Sequence, residues 1–180
     1  IEHGIFMDDE CLRAMLERRT FLVPTLAAVM NIVNNGGKGI PSWAFEKAQR
    51  VYDRHRQSFK MFYEAGGLIA LGTDAGTPFN KHGENAMELE YMVDCGMKPL
   101  DALRAGTSNA ADLCDLPEHG QLREGGAADL LVVDGDPVAD IKRASRLENH
   151  RGVYRNGKPA EGLVTLAGAM PRLGVAAATF

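Results

Sequence analysis

The order in which short apolar runs and helical stretches alternate constrains this chain more than any other feature. Ile1-Glu2-His3-Gly4 reads as the end of a strand entering a loop. Phe21-Leu22-Val23-Pro24 reads as a short buried strand, and Leu68-Ile69-Ala70-Leu71 is the clearest one. Helical stretches fill the gaps. Asp8 and Asp9 offer an N-cap and favourable charge at a helix start, and Leu12, Met15 and Leu16 follow at helical spacing over Glu10 to Arg19. Ser42 can cap a long helix running to Ala65, which Gly66-Gly67 stops. A helix over Glu84–Cys95 and two shorter ones, Pro99–Ala105 and Ser108–Cys114, come next. A helix in each gap implies crossover connections, and crossovers imply parallel strands. The strand runs are apolar throughout rather than alternating, as expected where helices cover the sheet.

After Gly120 the texture changes. Ala128 to Asp134 reads as a strand ended by Gly135-Asp136-Pro137, and Gly152 to Lys158 as a strand running into an Asn-Gly turn. The expected organisation is an α/β portion over residues 1–118 and a small β unit over 119–162. The apolar tail over 163–180 is interrupted by Pro171 and Arg172, and no role is assigned to it.

Composition narrows the function classes. A net charge of -4 with scattered basic residues gives no nucleic-acid surface. No run of 18 or more apolar residues occurs, so no membrane-spanning helix is expected. Cys11, Cys95 and Cys114 form no CxxC pair, which argues against a disulfide framework or a zinc knuckle and mildly favours a reducing, cytoplasmic compartment. The chain starts at Ile1, in mid-element, so a targeting signal upstream would not be seen.

Two residues stand out chemically. His3 follows the first strand and Asp74 the third. In a parallel barrel both lie at the C-terminal rim, where such barrels place their chemistry. An imidazole nitrogen and a carboxylate oxygen there can share one metal. Taken singly each has a plainer reading: a polar rim residue for His3, a turn or N-cap residue for Asp74.

In combination they carry more. Ile1-Glu2-His3-Gly4, Val23-Pro24-Thr25 and Leu71-Gly72-Thr73-Asp74-Ala75-Gly76-Thr77 together resemble the amidohydrolase superfamily. So do Thr107-Ser108-Asn109-Ala110-Ala111 and the run Gly126 to Pro137. The resemblance points to the branch of zinc-dependent dipeptidases and carboxypeptidases that includes imidazolonepropionase-like proteins. It implies an α/β fold, the C-terminal part (strands 6–8) of a (β/α)8 TIM-like barrel plus part of a small β-sandwich. It also implies a metal-dependent hydrolase of amide, peptide or N-acyl amino acid bonds, acting through a metal-activated water. The cofactor would be one or two divalent cations, zinc first. His3 then matches a metal ligand, and Asp74 a metal contact that also moves the proton. The partner is a small-molecule or peptide-like substrate, with self-association into a homo-oligomer left open.

The family also uses a His-x-His pair after its first strand, often a lysine after the fourth, and a His after the fifth. None of these is matched here. Taken alone, the chain is therefore expected to bind metal weakly and to turn nothing over. A cyclic amide substrate, a non-catalytic scaffold and a truncated fragment are the competing readings. His82, in the loop after the third strand, reads either as a substrate contact assisted by Lys81 or as a loop brace. Glu84 and Glu88 read as helix-start charges, and His55 as a packing or surface residue. Gly4 and Gly76 give the backbone room, and the role of Thr25 is open.

Overall fold

The structure is a computed structural model and describes residues 1–160. The expected tail, and residues 161–162 of the expected β unit, lie outside the described residues. The elements run α1 (Asp9–Glu17), α2 (Leu26–Asn34), α3 (Ser42–Glu64), α4 (Met87–Asp94), α5 (Pro99–Ala105), α6 (Ser108–Leu113), β1 (Leu130–Val133), α7 (Lys142–Ser145), β2 (His150–Arg155) and β3 (Lys158–Pro159). A single 3-10 turn, Leu147–Asn149, joins α7 to β2. None of the described helices is long and apolar enough to cross a membrane.

The three expected strands of the first portion pair in parallel, but each pairing is a single bridge. Glu2 bridges Val23, and Leu22 bridges Ile69. Val23 N–H donates to Ile1 O and His3 N–H to Val23 O, each at 2.9 Å. Leu22 N–H donates to Leu68 O at 2.9 Å, and Ala70 N–H to Leu22 O at 3.0 Å. The order across this ladder is therefore first, second, third segment. Gly72 matters to it, since a Cβ there would sit 2.3 Å from Val23 Cγ1. On the outer edge, helices take up the backbone of the third segment. Leu71 N–H donates to Ala105 O at 2.8 Å and the Asn109 amide to Ile69 O at 2.9 Å.

Leu22 and Ile69 are buried to 0% and 2% exposure, and the core forms around them from Met7, Met15, Leu26, Met30, Phe59, Phe62, Leu89 and Met92. Asp8 caps α1 as expected, accepting from Cys11 N–H at 2.8 Å. That bond holds the Asp8 carboxyl below its ordinary value. Ser42 does not cap α3. Pro41 occupies the cap position and no side chain bonds the first turn, so the fixed φ of proline, rather than a hydroxyl, sets the entry.

The β unit is a three-stranded antiparallel sheet, ordered β1-β2-β3, with Asn156-Gly157 at the tight turn. It is joined to the helical portion through α7. There Ser145 Oγ and the Arg146 guanidinium both donate to the Glu90 carboxylate of α4, with Arg146 Nη2 at 2.7 Å from Oε2. Burial alone would raise the Glu90 pKa, but these donors carry it below the usual value. Removing the guanidinium leaves a buried carboxylate with one hydroxyl partner. Arg146→Ala is therefore expected to lower stability by about 2–3 kcal/mol, short of a fully buried pair because Arg146 is part-exposed. Urea unfolding of the two proteins reads this directly, and a change below about 0.5 kcal/mol would count against it.

Candidate active site

The parallel ladder puts three chain turns along one edge. From the bridges, His3 is level with Pro24 and Leu71, so His3, Thr25 and Asp74 all lie at or just past the C-terminal ends of adjacent segments. The segments that end at His3 and before Asp74 are two strand spacings apart, roughly 10 Å by the ordinary spacing of a sheet. Both side chains are exposed.

All three residues adopt left-handed backbone, with φ of 64° at His3, 51° at Thr25 and 57° at Asp74. Histidine and aspartate tolerate this region comparatively well. A β-branched threonine does not, and its conformation costs about 1–2 kcal/mol. The surroundings must hold Thr25 there, and they do so from three sides. His3 Nδ1 and Thr25 Oγ1 lie 2.6 Å apart. The buried His55 of α3 hydrogen-bonds Pro24 O through Nε2 at 2.8 Å. Glu88, 0% exposed, accepts from the Leu26 and Ala27 N–H groups, each at 2.7 Å.

The last contact caps α2 from a distance. Thr25 makes no cap of its own, and the two Glu88 oxygens satisfy two of the orphan donors of the helix start. Burial pushes the Glu88 pKa up to about 8, even though the two N–H bonds pull the other way. Helix α3 also braces the first loop, with Ser58 Oγ donating to Ile5 O at 2.7 Å and Arg54 to Met7 O. Burial lowers the pKa of His55, and its Nδ1 is buried without a hydrogen-bond partner.

Asp74 opens a turn built on its backbone. Its carbonyl accepts from the Thr77 hydroxyl at 3.1 Å, and Gly76 N–H donates to Asn80 O at 2.8 Å. The buried Asn80 amide bonds Thr73 O, and the Asn85 amide donates to Thr73 Oγ1 at 3.0 Å. These contacts fix the turn and leave the exposed Asp74 carboxylate out of its bonding. His82 folds back over the turn, with Nε2 3.5 Å from the position a Cβ would take at Gly76. Lys81 pairs with Glu84 at 3.5 Å, both exposed, so the contact is worth little.

The structure thus brings His3 to Thr25, and His82 to the Asp74–Gly76 turn. It brings His3 and Asp74 to the same edge without direct contact. Among the described residues no group of three or more His, Cys, Asp or Glu is close enough to hold a metal ion. The donors that are present suit one in kind. With the proton on Nδ1, where Thr25 Oγ1 can accept it, the His3 Nε2 lone pair is open, and the Asp74 carboxylate supplies oxygen. Sequence reasoning left Thr25 unassigned and took Glu88 for a helix-start charge, and it does stand in the first turn of α4. Glu88 is also buried and caps α2, a role that only its contact 61 positions away discloses.

Residues 1–160 match the amidohydrolase family. The chain belongs to that family. The ochratoxinase of Aspergillus niger is 32% identical over 165 residues, covering 90% of this chain and 34% of that protein. The imidazolonepropionase of Thermoplasma volcanium is 29% identical over 100 residues, 54% of this chain and 24% of that protein. Among solved structures, a Xaa-Pro dipeptidase with methionine bound in its active site superposes with a TM-score of 0.79 at 38% identity. It covers 90% of this chain and 39% of that one. The ochratoxinase crystal structure gives 0.75 at 33% identity, with coverage of 88% and 36%. This amidohydrolase chain spans about a third of the length of the ochratoxinase it matches. The family resemblance read from its motifs is borne out, and its neighbours imply a TIM-barrel-like α/β fold.

Proposed function

We propose that the full-length protein hydrolyses an amide bond of a small, peptide-like substrate, with dipeptides first among them, by a water activated at a divalent cation, zinc by choice. The observation that carries this reading is the shared edge: His3 and Asp74 end segments on either side of a common neighbour, each on turns fixed by hydrogen bonds. On this reading the three parallel segments are strands 6, 7 and 8 of the barrel, and the sheet of β1, β2 and β3 belongs to the accompanying β-sandwich. Similarity to a Xaa-Pro dipeptidase and to an ochratoxinase supports amide substrates.

His3, through Nε2, and Asp74, through its carboxylate, would hold the cation. A cation held there would supply a water of lowered pKa, toward about 7, and a Lewis acid for the amide carbonyl. The residues then divide the work. Thr25 fixes the orientation of the His3 ring. Asp74 accepts the proton from the attacking water and delivers it to the leaving nitrogen, a transfer that needs a carboxylate with freedom to turn. His82, lying over the Asp74–Gly76 turn, contacts the substrate, its carboxylate being the natural partner for an imidazole.

Metal analysis of the full-length protein tests this. His3→Ala is expected to lower bound zinc at least tenfold in occupancy-limiting zinc, since an outright ligand should cost no less than its supporting partners. Hydrolysis of a panel of dipeptides, N-acyl amino acids and cyclic amides should fall with it. A protein that keeps its zinc after this change would remove His3 from the site. Turnover of cyclic amides alone would favour the imidazolonepropionase-like alternative, to which the Thermoplasma relative lends support.

A further inference from the structure

We infer that Glu88 is a positioning residue for the site, acting through Thr25 on the ring of His3. Glu88 is far from the edge in sequence and touches neither His3 nor Asp74 in any of its hydrogen bonds. Both of its oxygens are spent on Leu26 and Ala27, the two residues that follow Thr25. Thr25 itself is 4% exposed, stands in a backbone conformation a threonine avoids, and places its hydroxyl 2.6 Å from His3 Nδ1. An ordinary helix cap would need only a local Ser, Thr, Asp or Asn, with Thr25 itself in extended backbone. Here the cap comes from α4, which frees the Thr25 hydroxyl from capping and turns it to the imidazole. His55 anchors the residue on the other side of Thr25 by its grip on Pro24 O. The chain from 24 to 27 is therefore clamped at both ends, and the one side chain projecting between the clamps is bonded to His3. Glu88 sets the Thr25 hydroxyl, and the Thr25 hydroxyl sets the orientation of the His3 ring through Nδ1.

The metal consequence rests on the reading of His3 as a ligand; the ring consequence does not. The test uses the full-length protein without metal, with its histidine rings labelled with nitrogen-15 and the His3 signals assigned by their loss in His3→Ala. The wild-type ring is expected to show a hydrogen-bonded Nδ1 and an open Nε2. Glu88→Gln presents an amide N–H where an acceptor is needed and should move the Nδ1 signal toward that of a ring lacking the Thr25 bond. Thr25→Val, which leaves the cap intact, should do the same. In zinc competition against a chelator, each change should weaken affinity about tenfold. The double variant should be no weaker than the single ones, because both act on one path. Unmoved His3 signals in Glu88→Gln, or additive losses in the double variant, would overturn the inference. So would a Glu88→Gln protein that fails to fold while Thr25→Val folds, for that outcome marks Glu88 as structural only. Should His3→Ala retain zinc while the ring signals still follow Glu88, the ligand reading fails and the positioning role stands.

Discussion

Asp74→Asn is expected to cut amide hydrolysis by the full-length protein by a factor of about 10² to 10⁴, the range removal of a general acid–base group produces, with little effect on folding. The substitution separates chemistry from structure unusually well at this position. Asp74 holds a φ of 57°, and asparagine tolerates left-handed backbone as well as aspartate does. The turn is carried by the Asp74 carbonyl, by Thr77 and by the Asn80 and Asn85 amides, none of which the change touches. An asparagine can still offer an oxygen to a cation but cannot take a proton from water near neutral pH. The expected pattern is therefore a fall in kcat with an unchanged unfolding midpoint and retained zinc. Asp74→Asn activity within threefold of wild type would place the proton transfer on another residue.

That prediction was accessible from the sequence, because the chemistry hung on residues read from strand ends. Leu22 and Ile69 sit at the centre of the core because short apolar runs with helices between them have few other ways to be buried. What the sequence hid was everything fixed by a distant partner. Helix α2 went unread: it follows a proline, carries β-branched Val29, Ile32 and Val33, and has no local cap, since its cap is Glu88. Helix α7 went unread for a similar reason. Lys142-Arg143-Ala144-Ser145 has no apolar periodicity, and the segment is docked by the bonds of Ser145 and Arg146 to Glu90. At the site, His3 and Asp74 were legible because each ends a strand. Thr25 was not, since its meaning lies in a bond to a residue 22 positions earlier. Local signals name the residues at the edge; only packing tells which of them are held.

The second large effect follows from the burial of Glu88. Its carboxyl is fully enclosed, and that enclosure lifts the folded-state pKa from 4.5 to about 8. A carboxyl whose pKa is raised by folding binds its proton more tightly in the folded state than in the unfolded one. Its favourable contribution is complete below the unfolded value and is lost as pH climbs through the folded value. Between pH 5 and 8 the protein is therefore expected to lose stability, by an amount on the order of 3–4 kcal/mol if Glu88 acted alone. Tyr91 and Cys95, the titratable neighbours that feel Glu88, have pKa values raised by burial, the thiol to about 11. Both stay neutral across that window, and Glu90 is already ionised with Arg146. Urea unfolding at several pH values reads the slope, and Glu88→Gln supplies the control, since a glutamine has no proton to lose. The variant should be weaker than wild type at pH 5, because its amide meets one N–H donor with another, and should gain stability toward neutral pH, since burial holds the folded His55 neutral while the unfolded imidazole sheds its proton. Equal slopes in the two proteins would mean that Glu88 is ionised throughout, its two N–H partners and the α2 dipole outweighing the cost of burial.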